Sequence, residues 1–368
     1  SSAASDVYKR QKESIKIIKT THSALKDFDF NNMPGFGSAF TDHMFEADYV
    51  DGKWGNFVIK PLQNLSMHPA NLTLHYGQAI FEGMKASLSK DGVPMLFRPF
   101  DHARRLNKSA NRLSMPSFPE EVFVDVLKQM ILIDKAWIPP TEGSAMYIRP
   151  FMIAMDALIG VKPSLKYKLI VLLLPVGPYY DKPLSLRAET KYVRAVKGGI
   201  GEAKAAGNYA ASLFPFMEAK KDGYDQIMWL DALEFKYIQE IGTMNIFFVI
   251  GDKVVTPATD GALLQGITRD SFIKLMKNEG LTVEERLISI DELLDAHKKG
   301  ILKEIFGSGT AAVVANVNKL AIHDELIELD VTKYIVGPMV KNAMNKLRSG
   351  EMTDTFGWID PIHEEVIV

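Results

Sequence analysis

The sequence predicts an α+β protein of two domains, and three observations support this prediction. The chain has 368 residues, more than the length at which a single hydrophobic core usually stops growing. Strand and helix patterns occur together with hairpins in both halves, which is typical of α+β domains rather than of one doubly wound sheet. The densest cluster of turn-forming residues, Pro175–Pro183, lies in mid-chain and marks the predicted domain boundary.

The predicted domain bounds follow from this cluster. We expect a small N-terminal α+β domain over residues 21–177, a linker over 178–190 and a large C-terminal α+β domain over 191–368, which would carry the candidate catalytic lysine. Residues 1–20 are rich in lysine and have no apolar core, so they do not resemble a secretory signal. They are predicted to be a disordered or appended leader, with organelle targeting as the alternative.

The element patterns can be read in chain order. The predicted N-terminal elements are a hairpin of Lys85–Ser89 with Met95–Phe97, the helices His102–Leu113 (capped by Asp101) and Glu120–Trp137, and the strands Ala145–Ile153 and Tyr167–Leu174. The predicted C-terminal elements are a helix over Tyr209–Lys221, the strands Gln226–Leu230 and Tyr237–Ile241, a hairpin of Asn245–Ile250 with Lys253–Thr256, and helices that start near Thr268, Ile290 and Asp330.

The composition excludes several classes of function. Lys and Arg number 43 and Asp and Glu 45, so no long-range field favours nucleic acid or an anionic membrane. Cysteine is absent, which excludes disulfides, thiolate nucleophiles and Cys-ligated metals. The longest apolar run, Leu169–Leu174, is far shorter than the roughly 20 residues that a membrane helix needs. We therefore expect a cytoplasmic protein with neither a nucleic-acid nor a membrane partner.

Several common catalytic motifs are missing from the sequence. The eight histidines form no His-Glu-x-x-His pair, and no pair has the spacing of metal ligands, so no metal site is expected. Neither a phosphate-binding P-loop nor a dinucleotide Gly-x-Gly-x-x-Gly motif occurs. Gly307-Ser308-Gly309 only superficially resembles the nucleophile elbow of serine hydrolases. The chemistry must therefore come from other residues.

A glycine-rich segment, residues 198–209, contains a single lysine, Lys204, among residues too small to crowd it. A lysine amine that forms a Schiff base must be partly desolvated, and small walls allow a flat ring to approach it. Lys204 is therefore the candidate Schiff-base residue. The alternative is a surface turn with a solvated lysine, and the segment alone does not decide between the two.

Glu240 lies at the end of an apolar strand and is followed at once by polar residues, in the run Glu-Ile-Gly-Thr-Met-Asn. A carboxylate that pairs with a pyridine nitrogen keeps this nitrogen protonated, so that the ring can accept electrons from a substrate carbanion. Glu240 is the candidate for this role. The alternative is a strand-end glutamate in solvent.

Two turns have a composition that suits a phosphate group. Gly266–Arg269 comes directly before a predicted helix, and Gly307–Ala311 ends a predicted strand in small residues and a threonine. Free N–H groups at a helix start and threonine hydroxyls are donors for anions. Arg105, on a first-domain helix, could neutralise a phosphate from another side. As plain structure, Thr268 would be only a helix cap and Arg105 one arginine on a solvated face.

Taken together, these features are the complete set that pyridoxal phosphate requires. The segments Leu74–Tyr76, Phe81–Ala86, Tyr147–Pro150, Gly207–Tyr209, Glu240–Asn245 and Gly307–Ala311 closely resemble branched-chain amino acid aminotransferases. The resemblance implies the fold-type IV pyridoxal-phosphate aminotransferase fold, with its active site between the two domains, and a homodimer. It also implies reversible transfer of the amino group of L-leucine, L-isoleucine or L-valine to 2-oxoglutarate, which gives the 2-oxo acid and L-glutamate.

The resemblance further implies a role for each matching residue. Lys204 would hold the cofactor and shuttle the proton, Tyr209 would bond the ring hydroxyl, and Glu240 the pyridine nitrogen. The phosphate would be held by Arg105, Ile267, Thr268 and Thr310, and the substrate carboxylate would meet Thr243 and Ala311. The side-chain pocket would be lined by Phe36, Tyr76, Phe81, Tyr147, Val161 and Tyr179, with Arg149 receiving the distal carboxylate of glutamate.

That pocket must accept an aliphatic side chain in one half-reaction and a carboxylate in the other. Aromatic walls serve the first need, and tyrosine hydroxyls with Arg149 serve the second without leaving a bare charge in an apolar cavity. Without the motif match, the aromatic residues would be interpreted as ordinary core. Mammalian relatives carry a Cys-x-x-Cys pair where this chain has Ala312 and Ala315, so thiol redox control is not expected.

We expect a ping-pong cycle in which the substrate amine displaces Lys204 and the freed lysine moves the α-proton, first as base and then as acid. The rivals are a D-amino acid aminotransferase, an aminodeoxychorismate lyase and a non-catalytic pyridoxal-phosphate-binding protein. The Tyr147-x-Arg149 pair and the Glu82–Ala86 run weigh against the first two. Intact Lys204 and Glu240 weigh against the third, because a binding module has no use for a carbanion sink.

Overall fold

The computed structural model describes residues 15–141, 143–177 and 182–364, and these residues form two compact units. The first contains the described residues up to 177, together with Lys204–Ala206 and the residues from Lys346 onward. The second contains the described residues from 182 to 203 and Gly207–Asn345. In the described part of the chain, no helix is both long and apolar enough to span a membrane.

The division into units differs from the sequence-based bounds at several points. The strand Lys16–Ile17 lies within the predicted leader, and the strand Leu184–Glu189 occupies half of the predicted linker. Residues 346–364 and Lys204 belong to the first unit rather than to the predicted C-terminal domain. The physical reason is strand pairing over a long sequence separation: Ile359 lies beside Phe97, which no local pattern could indicate.

The first unit contains a mixed sheet. Its strands are β1 (Lys16–Ile17), β2 (His43–Val50), β3 (Lys53–Pro61), β4 (Ala79–Phe81), β5 (Met84–Leu88), β6 (Pro94–Phe97), β7 (Ala145–Ala154), β8 (Tyr167–Val176) and the C-terminal strand Ile359–Pro361. Among the described residues the strand order is β1-β3-β2-β8-β7-β5-β6 and then the C-terminal strand, while β4 pairs with β7. The predicted hairpin before the first long helix is confirmed as β5 and β6.

Three helices accompany this sheet: α1 (Leu72–Tyr76), α2 (Pro99–Arg112) and α3 (Glu120–Ile133). Because side chains alternate along a strand, the two faces of β7 differ. Met146 and Ile148 are fully buried in the main core of this unit, together with Leu106 of α2. Tyr147 and Arg149 alternate with them and therefore lie on the opposite face of the sheet. This opposite face carries residues that the sequence assigns to the substrate pocket.

The second unit contains another mixed sheet. Its strands are β9 (Leu184–Glu189), β10 (Gln226–Leu230), β11 (Ile238–Ile241), β12 (Met244–Ile250), β13 (Lys253–Thr256), β14 (Thr282–Glu285), β15 (Leu302–Gly309), β16 (Val313–Ile322) and β17 (Glu325–Glu328). Among the described residues the order is β11-β10-β9-β16-β15-β12-β13-β14, with β17 on β16. Because β11 also pairs with β12, the first six strands of this order close into a ring whose alternate apolar residues form the core.

The later helices are α4 (Ala206–Ala210), α5 (Leu213–Lys221), α6 (Ile267–Asn278), α7 (Ile290–Lys298) and α8 (Val336–Arg348). The predicted helix Tyr209–Lys221 is therefore divided between α4 and α5. Ser212 donates its hydroxyl to the carbonyl oxygen of Tyr209 at 2.7 Å, and this bond closes α4 at the division. A serine that bonds its local backbone competes with helix continuation in this way.

Three predicted helix ends differ from the structure. Asp101 does not cap α2, because Pro99 already occupies its first position, where a residue without an N–H group fits well. The helix α3 ends at Ile133, and a separate 3-10 turn covers the remaining predicted residues up to Trp137. Asp330 caps the 3-10 turn Val331–Lys333, while α8 begins only at Val336.

The start of α8 is held by a buried carboxylate from another element of the second unit. Glu304 of β15 is only 3% exposed and accepts the backbone N–H groups of Ile335, Val336 and Gly337 at 2.6, 2.8 and 2.9 Å. These donors are among those that a helix start leaves without an intrahelical partner.

We predict that Glu304→Gln lowers the free energy of unfolding by roughly 2–4 kcal/mol, because it removes charge-assisted hydrogen bonds and leaves a buried donor unmatched. Denaturant unfolding followed by circular dichroism measures the change. The control is Glu325→Gln, which removes an exposed ion pair with Lys298 and should cost less than about 1 kcal/mol. Equal losses in the two variants would contradict this account of the helix start.

Candidate active site

The backbone of Lys204 is attached to the first unit by two hydrogen bonds. Its N–H donates to the hydroxyl oxygen of Ser109, on α2, at 2.9 Å, and its carbonyl oxygen accepts the N–H of Phe81, on β4, at 3.0 Å. The neighbouring Ala205 forms an isolated β-bridge with Ile80. The amine nitrogen of Lys204 lies 4.9 Å from the centre of the Phe81 ring. A structured backbone therefore holds this lysine, which argues against the alternative of a solvated surface turn.

Directly after Phe81, a fully buried carboxylate holds two basic side chains of α2. Glu82 accepts Nε and Nη2 of Arg105 at 2.7 and 2.9 Å, and Nδ1 of His102 at 2.8 Å. Burial alone would raise the pKa of Glu82, but the charge of Arg105 and these hydrogen bonds outweigh burial and hold the pKa well below its usual range. Arg105 is thus a largely buried, oriented cation, with a side chain only 10% exposed, rather than an arginine on a solvated face.

The predicted side-chain pocket is partly assembled within the first unit. Arg149 donates Nη2 to the hydroxyl oxygen of Tyr147 at 3.1 Å, and its guanidinium carbon lies 4.7 Å from the centre of the Phe81 ring. The ring of Phe36 meets that of Tyr147 edge-on, with their centres 5.0 Å apart. Nε of Arg149 is buried and makes no hydrogen bond with any described residue. An anionic group of a ligand would satisfy this nitrogen.

A glycine is required next to this aromatic group. A Cβ atom at Gly83 would lie 1.9 Å from the hydroxyl oxygen of Tyr147, so any side chain there would displace the tyrosine. The glycine of the Phe-Glu-Gly run thus has a packing role that the sequence alone does not reveal.

The other predicted pocket residues are placed differently. Val161 is 90% exposed and Tyr76, the last residue of α1, is 47% exposed. Both therefore lie on the surface of the first unit. Tyr179 lies outside the described residues.

The second unit contains a cavity that opens to solvent. Its lining residues are Arg194, Gly201, Ala203, Asn208, Tyr209, Ser212, Glu240, Gly242, Thr243 and Leu264. Three of the predicted site residues, Tyr209, Glu240 and Thr243, are thus brought to one cavity. Asn208 holds the glycine-rich loop at its edge by donating Nδ2 to the carbonyl oxygens of Ile200 and Ala203 at 2.9 and 2.8 Å.

Glu240 is 3% exposed and is fixed by three neighbours that the sequence analysis missed. Its Oε1 accepts Nδ2 of Asn245 at 3.0 Å and the N–H of Leu264 at 3.1 Å, and its Oε2 lies 3.0 Å from Nε of Arg194. The alternative of a strand-end glutamate in solvent is therefore wrong. Asn245 is the polar residue at the start of an otherwise apolar strand, which is a signal that could have been used.

The predicted phosphate turn at residues 266–269 is the start of α6. Gly266 is the N-cap residue, and it must be a glycine because a Cβ atom there would lie 2.0 Å from Oδ1 of Asn245. Ile267 and Thr268 are the first helical residues and are buried. The interpretation of Thr268 as a cap is therefore wrong. Both residues lie in the first turn of the helix, where backbone N–H groups and the helix dipole favour an anion.

The second predicted phosphate turn joins β15 to β16, with Gly309 opposite Val313. Thr310 and Ala311 lie within this turn and are half-buried. Val313 has a φ of 63°, a conformation that β-branched residues rarely adopt, so the turn is held in a strained backbone. The hydroxyl of Ser308 is buried and has no hydrogen-bond partner among the described residues.

The residues of the second-unit cavity fit a flat heterocycle with a cationic ring nitrogen and a phenolic oxygen. Glu240 supplies a carboxylate that is fixed in place, and Tyr209 supplies a phenol. The small residues Gly201, Ala203 and Gly242 leave space for a flat ring. The helix start at Ile267 and the turn at Thr310 have the chemistry of an anion site. This donor set matches the pyridine nitrogen, ring hydroxyl and phosphate of pyridoxal phosphate.

One further buried residue was not predicted as part of a site. Lys85, opposite Tyr147 in the pairing of β5 with β7, is 6% exposed. Burial, and then the charge of Arg348, lower the pKa of Lys85 to about 7. Lys85 lies on the same face of the sheet as Tyr147 and Arg149. An amine that can gain or lose a proton near neutral pH is therefore close to the predicted pocket.

Comparison with known proteins identifies the class to which this fold and these sites belong. The family model of the class IV amino-transferases matches residues 79–320. The chain therefore belongs to the class IV aminotransferase family and is a transaminase.

The names of proteins with similar sequences specify the substrate class as well. The chain is 47% identical to branched-chain-amino-acid aminotransferase 2 of Bacillus subtilis (strain 168), over 94% of this chain and 96% of the relative. It is 43% identical to the branched-chain-amino-acid aminotransferase of Mycolicibacterium smegmatis, over 89% and 91% of the two chains.

The solved structures that resemble this chain agree with these relatives. The branched-chain amino acid aminotransferase of Escherichia coli is 28% identical, with a TM-score of 0.70 over 87% of this chain and 100% of that chain. The T.th. branched-chain amino acid aminotransferase in complex with N-(5'-phosphopyridoxyl)-L-glutamate is 25% identical, with a TM-score of 0.69 over 86% and 98% of the two chains. The fold-type IV aminotransferase fold is thereby confirmed.

We predict that stability rises with pH between about 7 and about 10.5 because of Lys85. In this range the unfolded chain, in which the lysine has its ordinary pKa of 10.5, binds the proton that the folded chain releases. The free energy of unfolding should therefore rise by up to roughly 1.4 kcal/mol per pH unit from this group. Urea unfolding at several pH values measures the slope.

The substitution Lys85→Met should remove this contribution and flatten the slope. The control is Lys53→Met at an exposed position of β3, which should leave the slope unchanged. An unchanged slope in Lys85→Met would show that the buried lysine keeps its ordinary pKa.

Proposed function

We propose that this transaminase is a branched-chain amino acid aminotransferase that uses pyridoxal 5'-phosphate. It transfers the amino group of L-leucine, L-isoleucine or L-valine to 2-oxoglutarate, reversibly. The observation that carries the proposal is the second-unit cavity, which is lined by the fixed carboxylate of Glu240, the phenol of Tyr209 and several small residues. The relatives named as branched-chain-amino-acid aminotransferases, at 43–47% identity, support this substrate class.

The cofactor-holding residues divide by the part of the cofactor that each would meet. Glu240 would pair with the pyridine nitrogen and Tyr209 with the ring hydroxyl. Arg105, Ile267, Thr268 and Thr310 would hold the phosphate. The bound cofactor supplies an electron sink for the α-carbon. The carboxylate of Glu240 accepts hydrogen bonds from Asn245 and Leu264 and forms an ion pair with Arg194, and these contacts hold it in place to face the ring nitrogen.

Lys204 would hold the cofactor covalently and act as the base of the reaction. The amine of Lys204 would remove the α-proton of the substrate as a base and would later return a proton as an acid. Its backbone bonds to Ser109 and Phe81 keep the start of the side chain in place while its tip moves. A fixed base of this kind avoids the entropy cost of orientation in the proton-transfer step.

The pocket around Arg149 accounts for the second substrate. Its unpaired buried Nε would bind the distal carboxylate of glutamate or 2-oxoglutarate, beside the hydroxyl of Tyr147. With an aliphatic substrate, the rings of Phe36, Phe81 and Tyr147 supply the contact. The phosphopyridoxyl-glutamate complex of the T.th. enzyme supports glutamate as one of the substrates. Thr243 and Ala311 would meet the carboxylate on the α-carbon.

We further propose a homodimer in the cytoplasm. The first unit exposes a group of large apolar residues: Leu74, Tyr76, Ile159, Val161 and Leu165. The two segments that carry them are joined where Asn71 bridges to Ala157. An apolar surface of this kind usually marks an interface. A second copy would cover it and would allow Val161 and Tyr76 to contribute to a pocket.

We predict that Lys204→Ala abolishes transamination, because the proton-shuttling amine is lost. The measurement has two parts: the visible absorbance of the protein supplied with pyridoxal phosphate, before and after addition of L-leucine, and the formation of glutamate from 2-oxoglutarate. The unsubstituted protein should bind the cofactor with a yellow colour that L-leucine changes. The control is Lys197→Ala at an exposed lysine directly before the glycine-rich segment, which should behave as the unsubstituted protein.

Two results would overturn the proposed function. A Lys204→Ala variant with full turnover and an unchanged spectrum would remove the lysine from the mechanism. Faster turnover with D-alanine than with L-leucine, both with 2-oxoglutarate, would assign the chain to the D-amino acid aminotransferases.

We predict that Val161→Asp shifts the protein from dimer to monomer, since it places a charge in the proposed interface. Sedimentation velocity at micromolar concentration measures the assembly. The matched control is Leu233→Asp, which changes an 86% exposed apolar residue in the second unit and should leave the assembly intact. A dimer that survives Val161→Asp, or one that is lost equally in both variants, would place the interface elsewhere.

A further inference from the structure

We infer that Glu82 is a positioning residue, which orients Arg105 so that its guanidinium can bind the cofactor phosphate. The inference rests on the proposed function, in that it takes the phosphate of pyridoxal phosphate as the ligand of Arg105. It adds a residue that touches neither cofactor nor substrate and acts only through the arginine.

The contacts between the two side chains determine the plane of the guanidinium. Glu82 binds Nε and Nη2 with its two carboxylate oxygens, at 2.7 and 2.9 Å. Two parallel charge-assisted hydrogen bonds allow only one orientation of the planar group, unlike a single contact. Nη1 takes no part in this pair and points away from the carboxylate edge. The carboxylate thus decides which edge of Arg105 is presented to an anion.

His102 completes this arrangement without adding a charge. Its Nδ1 donates to Oε2 of Glu82 at 2.8 Å. Burial, helped by the nearby charges of Arg105 and Lys204, lowers the pKa of His102 although Glu82 opposes this shift, so the imidazole is neutral at pH 7. The charge of Glu82 is balanced chiefly by the guanidinium of Arg105. The neutral imidazole keeps the carboxylate from rotating away from the arginine.

The helix α2 connects this pair to the catalytic lysine. His102, Arg105 and Ser109 are spaced by three and four residues, so they lie on one face of the helix. Ser109 accepts a hydrogen bond from the backbone N–H of Lys204. Arg105 is held by Glu82, and Phe81, the residue before Glu82, donates its N–H to the carbonyl oxygen of Lys204. Arg105 and the backbone of Lys204 are therefore both attached to α2. A misplaced guanidinium of Arg105 would move the bound phosphate relative to the amine of Lys204.

The test separates the phosphate from the ring of the cofactor. Cofactor-free protein is titrated with pyridoxal 5'-phosphate and, separately, with pyridoxal. The dissociation constant of pyridoxal divided by that of pyridoxal 5'-phosphate then reports the contribution of the phosphate alone. Glu82→Gln should reduce this ratio on the order of 10- to 100-fold, because the amide cannot accept both guanidinium nitrogens. Arg105→Gln should reduce it at least as much. The double variant should be no worse than Arg105→Gln, since Glu82 acts through that arginine.

Two further variants control for instability. Glu304→Gln removes a buried carboxylate of the second unit and should leave the ratio unchanged even if the protein melts at a lower temperature. Glu82→Asp keeps the charge and reaches one guanidinium nitrogen, so its ratio should lie between those of the unsubstituted protein and Glu82→Gln. It serves as the test variant if Glu82→Gln does not fold.

The inference is overturned if Glu82→Gln or Glu82→Asp leaves the ratio unchanged, or if the effects of Glu82→Gln and Arg105→Gln multiply in the double variant. These results leave the proposed function standing, provided that the unsubstituted protein binds the phosphate form more tightly. If the unsubstituted protein shows no such preference, the proposed function fails and this inference fails with it.

Discussion

The constraint on which the site depends is that a buried charge must be matched by opposite charge and by hydrogen-bond donors. Two carboxylates obey it, one in each unit. Glu82 is matched by Arg105 and His102, and Glu240 by Arg194, Asn245 and the N–H of Leu264. Both are nearly inaccessible to water, so neither can keep its charge without these neighbours. The site chemistry then follows from charges that are held in place before any ligand arrives.

Preorganisation of this kind explains why the residues next to the site are small or unusual in backbone conformation. Gly83 makes room for the hydroxyl of Tyr147, and Gly266 makes room for Asn245. Val313 is held at a φ that its side chain disfavours, in the turn that carries Thr310 and Ala311. These positions trade local stability for the accurate placement of donors, as is usual where a ligand must be bound in one orientation.

Local patterns in the sequence predicted many of the elements. The hairpin of β5 with β6 and the long strands β7 and β8 follow from turn residues and apolar runs, and both are confirmed. The helix ends were less predictable, because their positions depend on partners elsewhere in the chain. Asp134 receives Nδ1 of His43 at 2.6 Å, ninety-one residues away in sequence, and α3 ends just before it. No local signal contains that partner.

The class of protein could be predicted from the sequence, since motif residues such as Lys204, Tyr209 and Glu240 occur in a recognisable order. Which charges are buried, and which groups each charge faces, became known only from the folded structure. Arg194 and Asn245 are distant from each other in sequence, yet both contact Glu240. The orientation of Arg105 likewise depends on Glu82, on a neighbouring segment of the first unit. A sequence motif contains the chemical groups that the reaction needs. The burial of those groups and their pairing with other charges arise only when segments distant in sequence pack together.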